Sequence, residues 1–172
     1  MREYGGQAVV LNREPVGEAD SLITFFTEQH GKLVARAKSA RKIQSKLSAH
    51  LEPGNLVRIR LVEQHGLRVT DSLLETRLKV APNHLAIVAS LVGEAHADPF
   101  LWRALTSEDF SWSTILSALG WNPKTAHCRE CRRSTETEYF LLASQEFFCR
   151  SCIATFRPPG DAVLWIGRRP TA

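Results

Sequence analysis

Two Cys-x-x-Cys pairs, Cys128-Arg-Glu-Cys131 and Cys149-Arg-Ser-Cys152, stand 17 residues apart and use all four cysteines of the chain. Each pair can occupy a tight turn that aims two sulfurs at one point. Two such turns supply the tetrahedral thiolate set that Zn2+ prefers, so Cys128, Cys131, Cys149 and Cys152 are the expected ligands of one zinc ion. Four protein thiolates leave no open coordination position, and the site is expected to be structural, not hydrolytic. Two disulfides or a redox Cys-x-x-Cys are the alternatives, and neither suits a cytosolic chain without a thioredoxin-like βαβ context. Arg129, Arg132, Arg133 and Arg150 flank the cysteines. They would offset the negative charge of a Zn(Cys)4 centre, and a secondary nucleic-acid contact is the sharper reading of them.

The second group with possible chemistry is basic. Residues 1–80 hold 13 Lys or Arg against nine Asp or Glu, whereas residues 81–172 hold nine of each, so the formal charge of +4 lies wholly in the N-terminal part. Lys32, Arg36, Lys38, Arg41, Lys42, Lys46, Arg58 and Arg60 fall between residues 31 and 60, opposed only by Glu52. Such a cluster asks for a polyanionic partner, unless it is a solvated face kept basic for solubility.

Position separates the two readings. Short runs rich in β-branched and aromatic residues, Gln7–Asn12, Ser21–Thr27, Lys32–Ala37, Leu56–Val62 and Leu67–Leu74, are divided by turn formers and predict five strands. His30-Gly31 and His65-Gly66 mark tight hairpins, and the long connection 38–55 closes on Glu52-Pro53-Gly54. Five short strands with one long connection fit a Greek-key barrel of the OB type. Side chains alternate along a strand, so Leu33, Ala35 and Ala37 would face a core while Lys32, Arg36 and Lys38 face solvent. Likewise Val57, Ile59 and Leu61 oppose Arg58 and Arg60. Arg41, Lys42 and Lys46 add to that basic face, which is therefore read as a nucleic-acid surface.

From Asn83 the period becomes helical, with Leu85, Val88, Leu91, Val92 and Ala95 on one stripe and Asn83 as N-cap. Further helices are expected near Pro99–Leu105 and over Ser111–Leu119, the latter stopped by Gly120. Trp102, Trp112 and Trp121 lie among them and are assigned to packing, because these helices carry no basic excess. Between the cysteine pairs, Glu138–Ala143 and Glu146–Phe148 read as a small hairpin. The expected class is thus α+β. A five-stranded OB-type barrel over residues 1–80 precedes a small helical domain over 81–172, which contains a zinc module at about 126–155.

An enzyme is the main rival class. No nucleophile with its base, no paired carboxylates and no phosphate-cradling glycine loop stand out, the six histidines are scattered, and the chain is expected not to be an enzyme. A second rival is a non-enzymatic zinc-ribbon scaffold whose basic face docks an acidic protein partner. The longest apolar stretch, around Leu85–Val92, is far short of the roughly 20 residues of a membrane span, and no signal segment opens the chain, so a cytoplasmic location is expected.

Ala8-Val-Val-Leu11, Gly17-Glu-Ala-Asp-Ser-Leu22, Phe26-Thr27 through Gly31-Lys32, Ala37-Lys38-Ser-Ala-Arg41-Lys42 and Leu51-Glu-Pro53 occur in order, followed by Leu119-Gly-Trp121-Asn-Pro123 and the cysteine pairs. In these features the chain resembles the DNA repair protein RecO family of bacterial recombination mediators, over about residues 5–157. The resemblance implies an N-terminal OB-fold, a helical domain and a zinc module. It implies binding of single- and double-stranded DNA, annealing of complementary strands, action with RecR, and assistance in replacing single-strand-binding protein with RecA. Lys32, Lys38, Arg41 and Lys42 are the matching basic positions, and the location implied is the bacterial cytoplasm, associated with the nucleoid. The helical segment is short for the family and other members continue with further helices, so a compact or C-terminally truncated member is expected.

Overall fold

A computed structural model describes residues 2–41, 47–134 and 137–167. They divide into two compact units, residues 1–110 and 111–172.

The first unit is built on five strands: β1 (Arg2–Val16), β2 (Asp20–Thr27), β3 (Gly31–Ala37), β4 (Asn55–Glu63) and β5 (Leu67–Arg77). They close in the order β1-β2-β3-β5-β4, with β1 also pairing β4, so the expected OB-type barrel is what the chain forms. All pairings are antiparallel except the seam, where β3 runs parallel to β5 through Ala35↔Leu67 and Arg36↔Arg68. Closure removes the sheet edges that a five-stranded open sheet would expose. Alternation fills the interior: Ala8, Val10, Ile23, Phe25, Leu33, Ala35, Ala37, Val57, Ile59, Leu61 and Val69 form one buried cluster with Leu51 from the long connection.

The turns are made by the residues that favour them. Asn55 N–H returns to the Glu52 carbonyl at 3.1 Å across Pro53-Gly54, with Gly54 at φ +93°, the arrangement of a type II turn. Gly31 sits at φ +67° directly beneath the chain at His96, where an added Cβ would fall 2.0 Å from the His96 carbonyl oxygen.

Two helices belong to the same unit, α1 (Pro82–Leu91) and α2 (Pro99–Thr106). The sequence placed the domain change near residue 80, where the hydrophobic period changes. The contacts instead group both helices with the barrel, because α1 packs on β1 through its buried Leu85 and Val88. Asn83 is not the N-cap: Ala81 takes that place and Pro82 occupies the first turn, where its missing N–H costs nothing. Ala95 leaves the helical stripe, lying exposed at φ +52° in the strap that follows. α2 is capped by Asp98, whose carboxylate accepts from the Phe100 and Leu101 N–H groups.

The second unit holds α3 (Trp112–Ala118), β6 (Tyr139–Leu141), β7 (Glu146–Phe148), α4 (Arg150–Phe156), a single 3-10 turn at Gly160–Ala162 and β8 (Val163–Trp165). α3 ends at Gly120, φ +94°, with Trp121 N–H on the Leu116 carbonyl at 2.8 Å, a Schellman-type stop. The hairpin strand expected to reach Ala143 ends at Leu141, because the turn to β7 needs residues up to Gln145, at φ +56°. β8 completes a sheet of order β7-β6-β8. One face of that sheet carries Phe140 and Phe147, packed edge to face at 5.0 Å, with Trp121 5.5 Å from Phe140.

Candidate nucleic-acid face and metal centre

The basic face follows from the strand pleat. Leu33, Ala35, Ala37, Val57, Ile59 and Leu61 are buried, Arg36, Arg58 and Arg60 between them are exposed on the outside of the barrel, and Lys38 is exposed in the turn just past β3. Their surroundings differ. Arg36 donates from Nε to Asp20 Oδ2 at 2.8 Å, and the Asp20 carboxylate also accepts the Ser39 N–H at 2.7 Å. That backbone bond, with help from Arg36, holds the Asp20 carboxyl below the ordinary carboxylate range. Arg58 pairs with Glu75 at 2.8 Å. Arg41 is exposed and anchored through Nη1 to the Gly17 carbonyl at 3.1 Å. Lys38 and Arg60 have no ion-pair partner among the described residues.

Lys32 stands apart from this group. Its Nζ donates to the Ala89 carbonyl of α1 at 3.1 Å, and its backbone bridges to Glu94. The ammonium thus serves as a C-terminal helix partner, a role the strand alternation alone could not distinguish from solvent exposure. Lys42 and Lys46 lie outside the described residues. Arg68 was missed by the sequence reading. It is the register partner of Arg36 across the seam and flanks the inward Val69, so the same in–out alternation, applied to β5, would have found it.

The long connection is tied down by Arg13, half-buried on β1. Its guanidinium pairs with Glu52 and donates to the Ser48 carbonyl at 3.0 Å and the Ala40 carbonyl at 3.1 Å. Asn55 adds a second tie, donating from Nδ2 to the Ala49 and His50 carbonyls.

In the second unit, Cys128, Cys131, Cys149 and Cys152 come together as expected, with all four sulfurs within 4.8 Å of one another and no disulfide between them. Cys128 lies in the first turn, where its N–H meets the Arg133 carbonyl at 2.8 Å and its carbonyl accepts the Arg132 N–H at 2.9 Å. Cys149 caps α4 and Cys152 lies in that helix's first turn. The sulfurs of Cys131 and Cys149 are 3.8 Å apart. Zinc–sulfur bonds of about 2.3 Å in a tetrahedron require sulfur–sulfur edges of about 3.8 Å, so the donor set fits such an ion.

Donors around the sulfurs favour thiolate. Arg133 Nε lies 3.4 Å from Cys131 Sγ, and the Arg133 N–H and guanidinium together lower that thiol's pKa. The Ser151 hydroxyl is 3.2 Å from Cys149 Sγ and, with the Cys152 N–H, brings its pKa down to about 6. The neighbouring Cys149 sulfur and burial push Cys152 up to about 12. In the metal-free cluster, therefore, one thiol yields its proton first and another retains it. Arg129 is committed to Glu146 at 3.0 Å, while Arg132 and Arg150 are exposed. Ser151 and the two outer elements, α4 and β8, were not anticipated, because runs of seven and three residues are too short to show a period.

Comparison with known proteins reports on the barrel most directly. Residues 1–75 match the family described as Recombination protein O N terminal. A DNA repair protein RecO of Cutibacterium acnes is 42% identical over 69 residues, 40% of this chain and 28% of that protein. The RecO of Syntrophotalea carbinolica is 29% identical over 182 residues, spanning 89% of this chain and 70% of the relative. That of Bifidobacterium longum is 27% identical over 190 residues, covering 88% and 74%.

Proposed function

We propose, from the match of residues 1–75 to the Recombination protein O N-terminal family and the similarity to RecO proteins along most of the chain, that this chain is a DNA-binding recombination mediator in DNA repair. It binds single- and double-stranded DNA and anneals complementary strands. With RecR it assists the loading of RecA on strands coated with single-strand-binding protein, working in the bacterial cytoplasm at the nucleoid. No helix among the described residues is long and apolar enough to cross a membrane.

The observation that supports this reading is the set of exposed cations Arg36, Lys38, Arg41, Arg58 and Arg60 on the outside of a closed apolar barrel. A rigid barrel that carries several outward cations can neutralise phosphates of bound strands. Annealing needs that screening of mutual repulsion and no bond-making step, so no catalytic group is required. Zinc, held by Cys128, Cys131, Cys149 and Cys152, would serve the fold of the second unit, since four thiolates complete its coordination.

The test is annealing of complementary strands, naked and coated with the cognate single-strand-binding protein, without nucleotide. The mediator reading expects acceleration of both, falling as salt rises and unaffected by ATP. Binding to both strands without annealing above the spontaneous rate would favour the other reading, a non-enzymatic scaffold whose barrel takes an acidic protein partner.

A further inference from the structure

The barrel seam sets two arginines side by side. Arg36 and Arg68 are register partners on parallel β3 and β5, between inward Ala35 and Val69, so both side chains leave the same outer face from backbones about 4.8 Å apart. Like charges directly opposite one another destabilise a sheet. Among the described residues the pair nevertheless has one carboxylate partner, Asp20, which accepts from the Nε of Arg36. Arg68 has no ion-pair partner among the described residues.

Asp20 is itself fixed by the Ser39 N–H at 2.7 Å. It therefore holds the Arg36 fork at its Nε edge. A guanidinium has five N–H donors in a planar fork, and two forks on adjacent strands match the oxygens of one phosphate.

We propose that Arg36 and Arg68 form a clamp for one backbone phosphate across the β3–β5 seam, with Asp20 as the residue that positions Arg36. The clamp rests on the DNA-binding reading for its natural ligand, but its anion chemistry can be tested without DNA. Arg68→Gln keeps the stem and removes the charge; Arg68→Lys keeps the charge and removes the fork.

With sulfate as the probe, thermal shift of the full chain should show stabilisation of the wild type, less for Arg68→Lys, and little for Arg68→Gln. In the absence of sulfate, Arg68→Gln should melt about 1–3 °C higher than the wild type, because the unbalanced pair is relieved. On labelled single-stranded DNA, the slope of log affinity against log salt should fall by about 0.7 in Arg68→Gln, an affinity loss of about fivefold at 0.1 M salt. Asp20→Asn raises the net charge by one, so general attraction predicts tighter DNA binding, whereas positioning predicts weaker binding.

Equal sulfate stabilisation of wild type and Arg68→Gln would overturn the clamp. So would an unchanged salt slope in Arg68→Gln, or tighter binding by Asp20→Asn. A wild type that responds to sulfate through Arg68 but binds no DNA would uphold the anion site and defeat the DNA reading alone.

Discussion

The sulfurs of Cys131 and Cys149, from turns 18 residues apart, meet at 3.8 Å without bonding to each other. That separation suits a shared tetrahedral ion and is nearly twice a disulfide bond. Thiolates gathered this closely repel unless a cation holds them, and the second unit has only a small core. Cys128→Ser or Cys149→Ser should therefore weaken metal binding and destabilise residues 111–172 while the barrel's melting transition stays in place. Elemental analysis with circular dichroism checks both, and wild-type protein containing no zinc and two disulfides would contradict it.

The cysteines should also titrate unequally. In metal-stripped protein Cys149 has its thiol lowered to about 6 by Ser151 and the Cys152 N–H. A depressed acid adds stability above the ordinary thiol range, and that contribution is lost as pH falls through about 6. Alkylation followed by mass spectrometry should find one cysteine reacting with an inflection near pH 6, moved upward in Ser151→Ala. A uniform inflection near 8.5 for all four would show that the hydroxyl does not act on the thiol.

Arg13 should matter to the barrel more than its single charge suggests. Its guanidinium satisfies two connection carbonyls besides Glu52, and its side chain is only 14% exposed. Arg13→Met should cost about 2–3 kcal/mol in chemical denaturation. Glu52→Gln should cost less than about 1 kcal/mol, because that carboxylate is 48% exposed. Equal costs would mean that the ion pair, not the carbonyl ties, holds the connection.

Gly31→Ala tests the strap over the β2–β3 hairpin. The added Cβ meets the His96 backbone at 2.0 Å on a positive-φ position, so the strap must shift or the hairpin strain. A loss of at least about 2 kcal/mol is expected, with faster proteolysis between Val92 and Asp98. Unaltered stability would show that the strap yields freely.

Much of this was legible in the sequence for a definite reason. The five strands and the core positions followed from period two, and the cysteine quartet from its spacing, because each is a local pattern that tertiary structure preserves. Strand ends were underestimated at β1, where Gly5, Gly6 and Pro15 mask a strand that runs from Arg2 to Val16 with a register shift between Val10 and Asn12. The fates of the basic residues were not legible. Whether a strand cation meets solvent, an acid or a helix end depends on partners distant in sequence: Lys32 on Ala89, Arg36 on Asp20, Arg58 on Glu75. The outward position of Arg68 was within reach of the same alternation, but its pairing with Arg36 was not, because that parallel pairing exists only where the barrel closes.

On the DNA-binding reading the outer face of the barrel binds DNA through phosphates. The most direct test is the salt dependence of binding to single-stranded and duplex DNA for wild type, for Lys38→Ala with Arg41→Ala, and for a control double, Arg103→Ala with Lys124→Ala, of equal charge loss. The Lys38 and Arg41 double should lower the log–log salt slope by about 1.4 on single strands and about 1.8 on duplex, with the control nearly unchanged. Equal reductions in the two doubles would mean that overall charge, and not this face, governs binding.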